Sequence, residues 1–450
     1  MSNSLFALRT AIAQSAMARR FAGAAAWSVL GAVVSSGINM TLMMMVARIL
    51  PQDKYGQLIL LQSTLMSVSL LAGLGMSAVA TRYTAALRSR EPERLARILA
   101  LCIRMTLLGS VIAMLSLLLW ASPVATGVLS SVDLYVPVLL SAPSVLFLTL
   151  DLYQKSVLIG LESMKLVALS TLAGVLLSLP TMLFLTHQYG LEGAATALSA
   201  AAFYQVLFSY LSLRHERVRH DLSRNTAHWR GERSLLGSYA LPALIAGGLV
   251  GPAHWAVQAI LAGRPDGFTQ IAILGIAMQW FNVIMFIPGN ASKVVLPILT
   301  DSLTGNDHKG SRSLLGFSIL ANALIAIPLA IGMSLFATQI LQLYGDSYND
   351  STLPFRLAVF TAAILACIGP IGTMMSAASR MWLAASTNAA WAALYVGLVY
   401  LLFGDSAAGV TQALIIAYVF HTIWTILFAR VHLRQIANAT AHSATQAPDK

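Results

Sequence analysis

The chain has 450 residues, of which only 10% are charged and 57% are hydrophobic, and its mean hydropathy is +0.74. Soluble domains carry roughly 25% charged residues, so this composition excludes a water-soluble globule and indicates an integral membrane protein. The two cysteines, Cys102 and Cys367, are too few for a disulfide framework or a four-ligand metal site. Neither a metal nor a cofactor is expected.

Twelve stretches of the chain contain no Asp, Glu, Lys or Arg and have the composition of transmembrane helices. A helix needs about 20 apolar residues to cross the hydrocarbon of a membrane. The stretches are residues 21–47, 55–81, 105–132, 134–150, 166–191, 193–213, 234–263, 267–292, 313–345, 357–379, 381–404 and 406–429. Because the stretch 134–150 is short, its helix is expected to continue through Asp151 and Lys155 to Gly160.

The distribution of basic residues predicts the orientation of these helices. With a cytoplasmic amino terminus, 24 of the 28 Lys and Arg residues fall on the cytoplasmic side, and only Arg48, Lys54, Arg264 and Arg356 fall outside. Basic residues concentrate on the cytoplasmic side of membrane proteins, so both termini are predicted to lie there. The same bias explains the net charge of +11 without a nucleic-acid partner, since basic inner loops face an anionic leaflet.

The chain divides into two halves at its longest charged connector. In each half the first helix ends in Ile-Leu, followed by a short turn with Pro, Gly, an acid and a base, at residues 49–57 and 260–268. Such repeats are typical of transporters built from two related bundles. The predicted fold is therefore all-α, with 12 transmembrane helices in two six-helix bundles around a central cavity.

The predicted domains follow from this division. They are a cytoplasmic amino-terminal segment (1–22), a first six-helix bundle (23–213), a basic cytoplasmic connector (214–233), a second six-helix bundle (234–430) and a cytoplasmic tail (431–450). The amino-terminal segment contains arginines but no acid, so an organellar presequence is an alternative interpretation.

The sequence has no pattern typical of an enzyme. A P-loop, a nucleophile elbow, a His-Glu metal motif and paired carboxylates for glycosyl transfer are all absent. A membrane enzyme that ligates or polymerises glycans would need an outer domain, and the predicted outer loops are short. A carrier of the major facilitator type also has six plus six helices, but its Gly-x-x-x-Asp-Arg/Lys loop is absent between Arg82 and Arg97.

Several short motifs near helix ends resemble those of one transporter family. They are Ala47-Arg48-Ile49-Leu50-Pro51-Gln52-Asp53-Lys54-Tyr55-Gly56, Gly73-Leu74-Gly75-Met76-Ser77, Thr81-Arg82-Tyr83, Gln154, Gly160-Leu161-Glu162, Gly190-Leu191-Glu192-Gly193-Ala194-Ala195, Leu341-Gln342-Leu343-Tyr344-Gly345 and Asn388. In their order and positions they are similar to polysaccharide transporters of the multidrug/oligosaccharidyl-lipid/polysaccharide superfamily.

The resemblance implies a flippase of the bacterial inner membrane that translocates a polyprenyl-diphosphate-linked oligosaccharide by alternating access. The oligosaccharide would be a repeat unit of O-antigen (for lipopolysaccharide biosynthesis), capsule or exopolysaccharide. The implied partners are this substrate, membrane lipids, and glycan polymerase and chain-length proteins, with no nucleic acid.

The main alternative is a cation-coupled multidrug exporter of the same superfamily. Such an exporter needs an acid that can change its charge within the membrane. The first predicted helix contains no Asp or Glu, and Asp151 is the plausible relay.

A diphosphate headgroup requires cations along its path, and arginine suits phosphate because its guanidinium offers a fork of donors. Charged residues inside membrane helices are costly and are therefore functional candidates. The candidates for a headgroup site are Arg48, Arg82, Asp151, Lys155, Lys293 and Arg356.

Each of these candidates also has a structural explanation. The three arginines lie at predicted helix ends, where such side chains can extend to the lipid headgroups. The acid and the lysine four residues after it can form a structural ion pair on one helix face. Lys293 can serve as a cytoplasmic anchor.

A second group of candidates is suited to contact sugar. Gln279, Trp280 and Asn282 lie on the eighth predicted helix, where the aromatic face can stack on a sugar ring and the amides can supply donors and acceptors. A tryptophan at the membrane interface and hydrogen bonds between helices explain the same residues equally well.

Overall fold

The structure of the protein, a computed structural model, describes residues 27, 29–219, 229–304, 308–377 and 381–445. Side chains are described in these ranges except at 246–247, 287, 290–309, 311–312, 376–384 and 428–445. The predicted amino-terminal segment 1–22 and the side chain of Lys293 therefore lie outside the described residues.

Within the described ranges, all regular secondary structure is helical. The α-helices are α1 (Val29–Ile49), α2 (Gln52–Ala72), α3 (Met76–Leu87), α4 (Pro92–Leu119), α5 (Ala121–Pro123), α6 (Tyr135–Ser141), α7 (Pro143–Gly160), α8 (Met164–Arg219), α9 (Leu241–Gly247), α10 (Val250–Ala262), α11 (Gly267–Thr304), α12 (His308–Leu335), α13 (Ala337–Gln342), α14 (Thr352–Ala377), α15 (Met381–Leu398) and α16 (Ala407–Thr445). Short π-helices cover Val124–Val128, Leu236–Ala240 and Val399–Phe403, and short 3₁₀-helices cover Val132–Leu134, Trp229–Glu232 and Asp346–Tyr348.

Nine of the helices in the described ranges are long and apolar enough to cross a membrane. The number rises to eleven if two bent pairs, Val132–Ser141 with Pro143–Gly160 and Trp229–Ile245 with Val250–Ala262, each form one span. The protein is therefore a multi-pass, almost entirely helical membrane protein. Helix α7 contains Asp151 and Lys155, which confirms the prediction that this helix extends through both charges.

Two glycines interrupt apolar stretches. The predicted helix 55–81 is in fact two helices, because Gly75 has φ +71° and stops the helical path between α2 and α3. Gly190, with φ 57° and ψ −132°, likewise divides the 56-residue helix α8 into two helices. At about 1.5 Å per residue, a continuous helix of that length would far exceed the thickness of a bilayer.

Large apolar side chains are exposed along several of the long helices. Examples are Leu119 on α4, Phe184 on α8 and Phe317 on α12. Extended apolar surface of this kind is unfavourable in water, while a helix satisfies its own backbone hydrogen bonds in lipid. These faces are therefore suited to contact with acyl chains.

The chain forms two compact units. Unit 1 contains the described residues up to Leu50 and Leu61–Leu244, and unit 2 contains Pro51–Leu60 and the described residues from Ile245 onward. The core of unit 1 joins α3, α4 and α7 through side chains such as Val79, Leu99 and Val157. Residues 229–244 also belong to unit 1 because they pack on α3 and α4.

Candidate functional site

The first candidate is Arg82 on α3, whose surroundings depend on Gly75. A Cβ at position 75 would overlap the carbonyl oxygen of Ala240, and the positive φ of Gly75 is one that side chains other than glycine rarely tolerate. Glycine therefore lets the Leu236–Ala240 turn approach the start of α3. This approach brings Tyr239 next to α3.

The Arg82 guanidinium lies against two tyrosine rings. Its central carbon is 4.6 Å from the ring centroid of Tyr239 and 5.9 Å from that of Tyr83. The two rings meet edge to face, with centroids 6.2 Å apart. A guanidinium over an aromatic face gains a cation–π attraction, so the rings orient the cation.

The Arg82 side chain keeps its hydrogen-bond donors available. The residue is exposed, and in the described part of the chain no carboxylate or other acceptor is paired with its guanidinium. Arginine donors in this state suit the planar, two-pronged recognition of a phosphate group. Chemically, the site can bind an anion.

Asp151 and Lys155 have a different environment, within a closed polar network between α7 and α8. The Lys155 Nζ lies 2.8 Å from Asp151 Oδ2 and donates a hydrogen bond to Gln205 Oε1 at 2.9 Å. The Ser209 hydroxyl donates to Asp151 Oδ1 at 2.6 Å. Gln205 in turn donates to the backbone oxygen of Thr171 at 3.1 Å.

The side chains of this network are closely packed. A Cβ at Gly174 would overlap the amide of Gln205, so glycine makes the space for that side chain. Asp151 is only 8% exposed. A buried ion pair is tolerated when further hydrogen bonds satisfy both partners, and this one is satisfied on both sides. A substrate would have to break existing bonds to use these groups.

The remaining candidate arginines are Arg48 and Arg356. Arg48, near the end of α1, is exposed. Arg356, in the second turn of α14, is exposed and donates a hydrogen bond from Nε to the backbone oxygen of Ser334 at 3.2 Å. A role for either residue in substrate binding stays a prediction, as it does for Lys293.

Two of the candidate sugar-binding residues, Gln279 and Trp280, form hydrogen bonds within unit 2. The buried Tyr344 donates a hydrogen bond from its hydroxyl to Gln279 Oε1 at 2.7 Å, and accepts one from Trp280 Nε1 at 3.1 Å. The Trp280 ring also meets Phe355 edge to face, with centroids 6.1 Å apart. These contacts tie α11 to the segment after α13, whereas Asn282 is exposed.

The sequence did not reveal the partners of these candidates. Tyr239 was missed because no local pattern connects it to Arg82. Gln205 and Ser209 had a usable signal, since they are polar and four residues apart in a predicted span, like Lys155 and Asp151. Two such pairs on neighbouring helices could have been matched.

No group of three or more His, Cys, Asp or Glu side chains in the described ranges is arranged to hold a metal ion.

Comparison with known proteins defines the class to which this helical membrane protein belongs. Residues 22–303, more than half of the chain, match the family described as polysaccharide biosynthesis protein. The chain therefore belongs to this family. The predicted resemblance to polysaccharide transporters of the multidrug/oligosaccharidyl-lipid/polysaccharide superfamily is confirmed.

A curated relative is the EPS I polysaccharide export inner membrane protein EpsE of Ralstonia nicotianae. The two sequences are 28% identical over 207 residues, which are 44% of this chain and 47% of the relative. The chain thus spans about half the length of this relative.

Solved structures of the same fold extend the comparison to almost the whole chain. An inward-facing multidrug resistance MATE family transporter of the MOP superfamily has a TM-score of 0.72 at 14% identity, covering 90% of this chain and 96% of that one. The lipid II flippase MurJ, in an inward closed conformation, has a TM-score of 0.69 at 12% identity, covering 94% and 93%. At these identities the similarity establishes the fold.

Proposed function

We propose that the protein is a flippase that moves a polyprenyl-diphosphate-linked oligosaccharide from the inner to the outer leaflet of the bacterial inner membrane. Membership in a polysaccharide biosynthesis family supports this proposal. The similarity to an exopolysaccharide export protein favours an exopolysaccharide repeat unit over O-antigen or capsule. Alternating access would expose the headgroup site first to the cytoplasm and then to the outside.

The observation that carries the proposal is the state of Arg82. Its guanidinium is held by Tyr83 and Tyr239, is exposed, and has no acceptor paired with it among the described residues. A diphosphate supplies the acceptors that this cation lacks. In this proposal Arg82 contacts the diphosphate, and the two tyrosines position it.

The proposed topology has twelve spans in two six-helix bundles, with both termini in the cytoplasm. The eleven spans obtained with the bent pairs become twelve if the two parts of α8 on either side of Gly190 each cross the membrane. The excess of basic residues on one side supports the orientation. Cysteine accessibility from the two sides of the membrane would test both statements.

We assign the protein transport rather than catalysis, so glycan joining would fall to separate partners. A glycan polymerase and chain-length proteins would act on the oligosaccharide after it reaches the outer leaflet. We therefore expect the purified protein to leave the chain length of the glycan unchanged when it is incubated with lipid-linked oligosaccharide.

The proposal is tested by complementation of a deletion strain. Without the protein, surface polysaccharide should disappear and lipid-linked oligosaccharide should accumulate in the inner leaflet. Wild-type protein should restore export, R82Q should not, and R82K should restore it in part because it keeps the charge but loses the fork of donors. R90Q is the matched control, since Arg90 is also an exposed arginine of unit 1.

The alternative functions predict other results. A multidrug exporter would confer drug resistance in a pump-deficient strain and leave surface polysaccharide intact when deleted. A ligase or polymerase would cause polymerised glycan to vanish while single repeat units still reached the outer leaflet. Either result would overturn the proposal.

A further inference from the structure

A cluster of cations surrounds one tryptophan where the connector returns to the membrane. The Trp229 ring centroid lies 4.7 Å from the guanidinium carbon of Arg104, 5.3 Å from that of Arg233 and 5.6 Å from that of Arg230. We name Trp229 with these three arginines the Trp229 cluster. It shares no residue with the Arg82 site.

The cluster is attached to the first part of α4 by an acid. Glu232, whose side chain is 13% exposed, lies 3.5 Å from Arg94 Nε and 3.8 Å from Arg97 Nε. Its carboxylate is thus engaged by two arginines outside the cluster. These ion pairs fix the Trp229–Glu232 turn on α4 and leave the charges of the cluster itself unbalanced.

The three cluster arginines are close enough to repel one another. Each guanidinium carbon lies within 5.6 Å of one ring centroid, so no two of them are more than about twice that distance apart. That separation is comparable to the Debye length of about 10 Å in 0.1 M salt, so solvent ions screen the repulsion only partly. Among the described residues, no carboxylate pairs with any of the three.

The position of Arg104 indicates where the missing anion comes from. Arg104 is the last charged residue before the charge-free stretch 105–132, and is exposed on α4. It therefore lies at the boundary between hydrocarbon and water. Tryptophan and arginine are both favoured at the depth of the lipid headgroups, and phosphate groups are the anions present there.

We propose that the Trp229 cluster is a binding site for the phosphate of a membrane lipid headgroup. The guanidinium groups donate hydrogen bonds to the phosphate oxygens, and the tryptophan ring holds the arginines in register. The phosphate belongs either to an acidic phospholipid or to a polyprenyl diphosphate.

Binding to the full-length protein in a neutral detergent tests the site. The probes are dioctanoyl phosphatidylglycerol, farnesyl diphosphate and, as a zwitterionic control, dioctanoyl phosphatidylcholine. We expect the wild type to bind at least one of the two anionic probes more tightly than phosphatidylcholine. Binding of phosphatidylglycerol alone identifies a phospholipid site. Tighter binding of farnesyl diphosphate that R230Q/R233Q weakens and R82Q does not identifies a site for the polyprenyl carrier, an outcome that rests on the proposed function.

Matched double variants separate this site from general electrostatic attraction. R230Q/R233Q should weaken binding of the anionic probe by at least about tenfold, because it removes two guanidinium groups that donate charge-assisted hydrogen bonds to the phosphate. R90Q/R214Q removes two exposed arginines outside the cluster and should change binding less than twofold. R230K/R233K keeps the charge and should give an intermediate loss.

Two single variants test the tryptophan and guard against misfolding. W229F keeps an aromatic face and should retain binding, while W229L should lose it, with both eluting as the wild type does in size-exclusion chromatography. Equal losses in R230Q/R233Q and R90Q/R214Q would overturn the proposal. Failure of the wild type to prefer either anionic probe would overturn it too.

Discussion

Two charged regions of unit 1 show how differently a membrane protein can use an ionised side chain. The Asp151–Lys155 pair has its donors and acceptors occupied by Gln205 and Ser209. Arg82 is oriented by aromatic rings that take none of its hydrogen bonds. Charge within a membrane helix therefore does not by itself indicate binding. What distinguishes a binding group is a fixed position combined with unused donors.

The largest expected effect is on the closed network. D151A should destabilise the protein by about 3–5 kcal/mol, because it leaves the partly buried Lys155 ammonium without its carboxylate partner. The measurement is the unfolding midpoint of the purified protein in detergent. D151A/K155A is the control and should be less destabilised than D151A alone. If D151A/K155A were as unstable as D151A, the loss of stability would not come from an unpaired Lys155 ammonium.

Next in size is the effect of R82Q, which should fall on transport rather than on stability. Loss of a charge-assisted hydrogen bond to phosphate, roughly 1.5–3 kcal/mol, corresponds to a decrease in export of about tenfold to a hundredfold. The unfolding midpoint should stay close to that of the wild type, because Arg82 is exposed. A large fall in stability with normal export would reverse the roles assigned to the two regions.

In unit 2, the variant Y344F should lower the stability of the protein. Removing the hydroxyl leaves Gln279 Oε1 and the Trp280 N–H without the partner they have now, which should cost about 1–3 kcal/mol. Thermal unfolding of Y344F measures this cost, and Y348F, another buried tyrosine of the same segment, serves as the control. If Y344F unfolds as the wild type does but export falls, Gln279 and Trp280 act on the substrate instead.

The smallest effect is expected for the positioning residue of the Arg82 site. Y239L removes a cation–π contact of about 0.5–1 kcal/mol at an exposed site, so export should fall by roughly two- to fivefold. Y239F keeps the ring and should export normally. If Y239F reduced export as much as Y239L, the Tyr239 hydroxyl rather than its ring would be the group that supports transport.

Much of the fold follows from the sequence because a lipid environment demands long apolar helices. Charge-free stretches predicted twelve membrane helices, of which nine to eleven are found in the described ranges, and the extension of α7 past Asp151 and Lys155 was correct. The break at Gly75 was not foreseen, since the presence of a glycine in an apolar stretch does not by itself show that it adopts a positive φ.

The sites were less predictable for a physical reason. Periodicity tells which residues share a helix face, but it does not tell which helices are neighbours. Ser209 is 58 residues from Asp151, and Gln205 is 50 residues from Lys155. The candidate residues could thus be named, while the distinction between a satisfied pair and an open cation required the packed structure.

Translocation by the purified full-length protein in proteoliposomes tests the central claim most directly. The probe is a fluorescent short oligosaccharide on a polyprenyl diphosphate, and arrival in the opposite leaflet is read by a membrane-impermeant quencher. We predict rapid translocation by the wild type and by R90Q, and translocation about tenfold to a hundredfold slower by R82Q. Translocation by R82Q at the wild-type rate, or none by the wild type, would contradict the account.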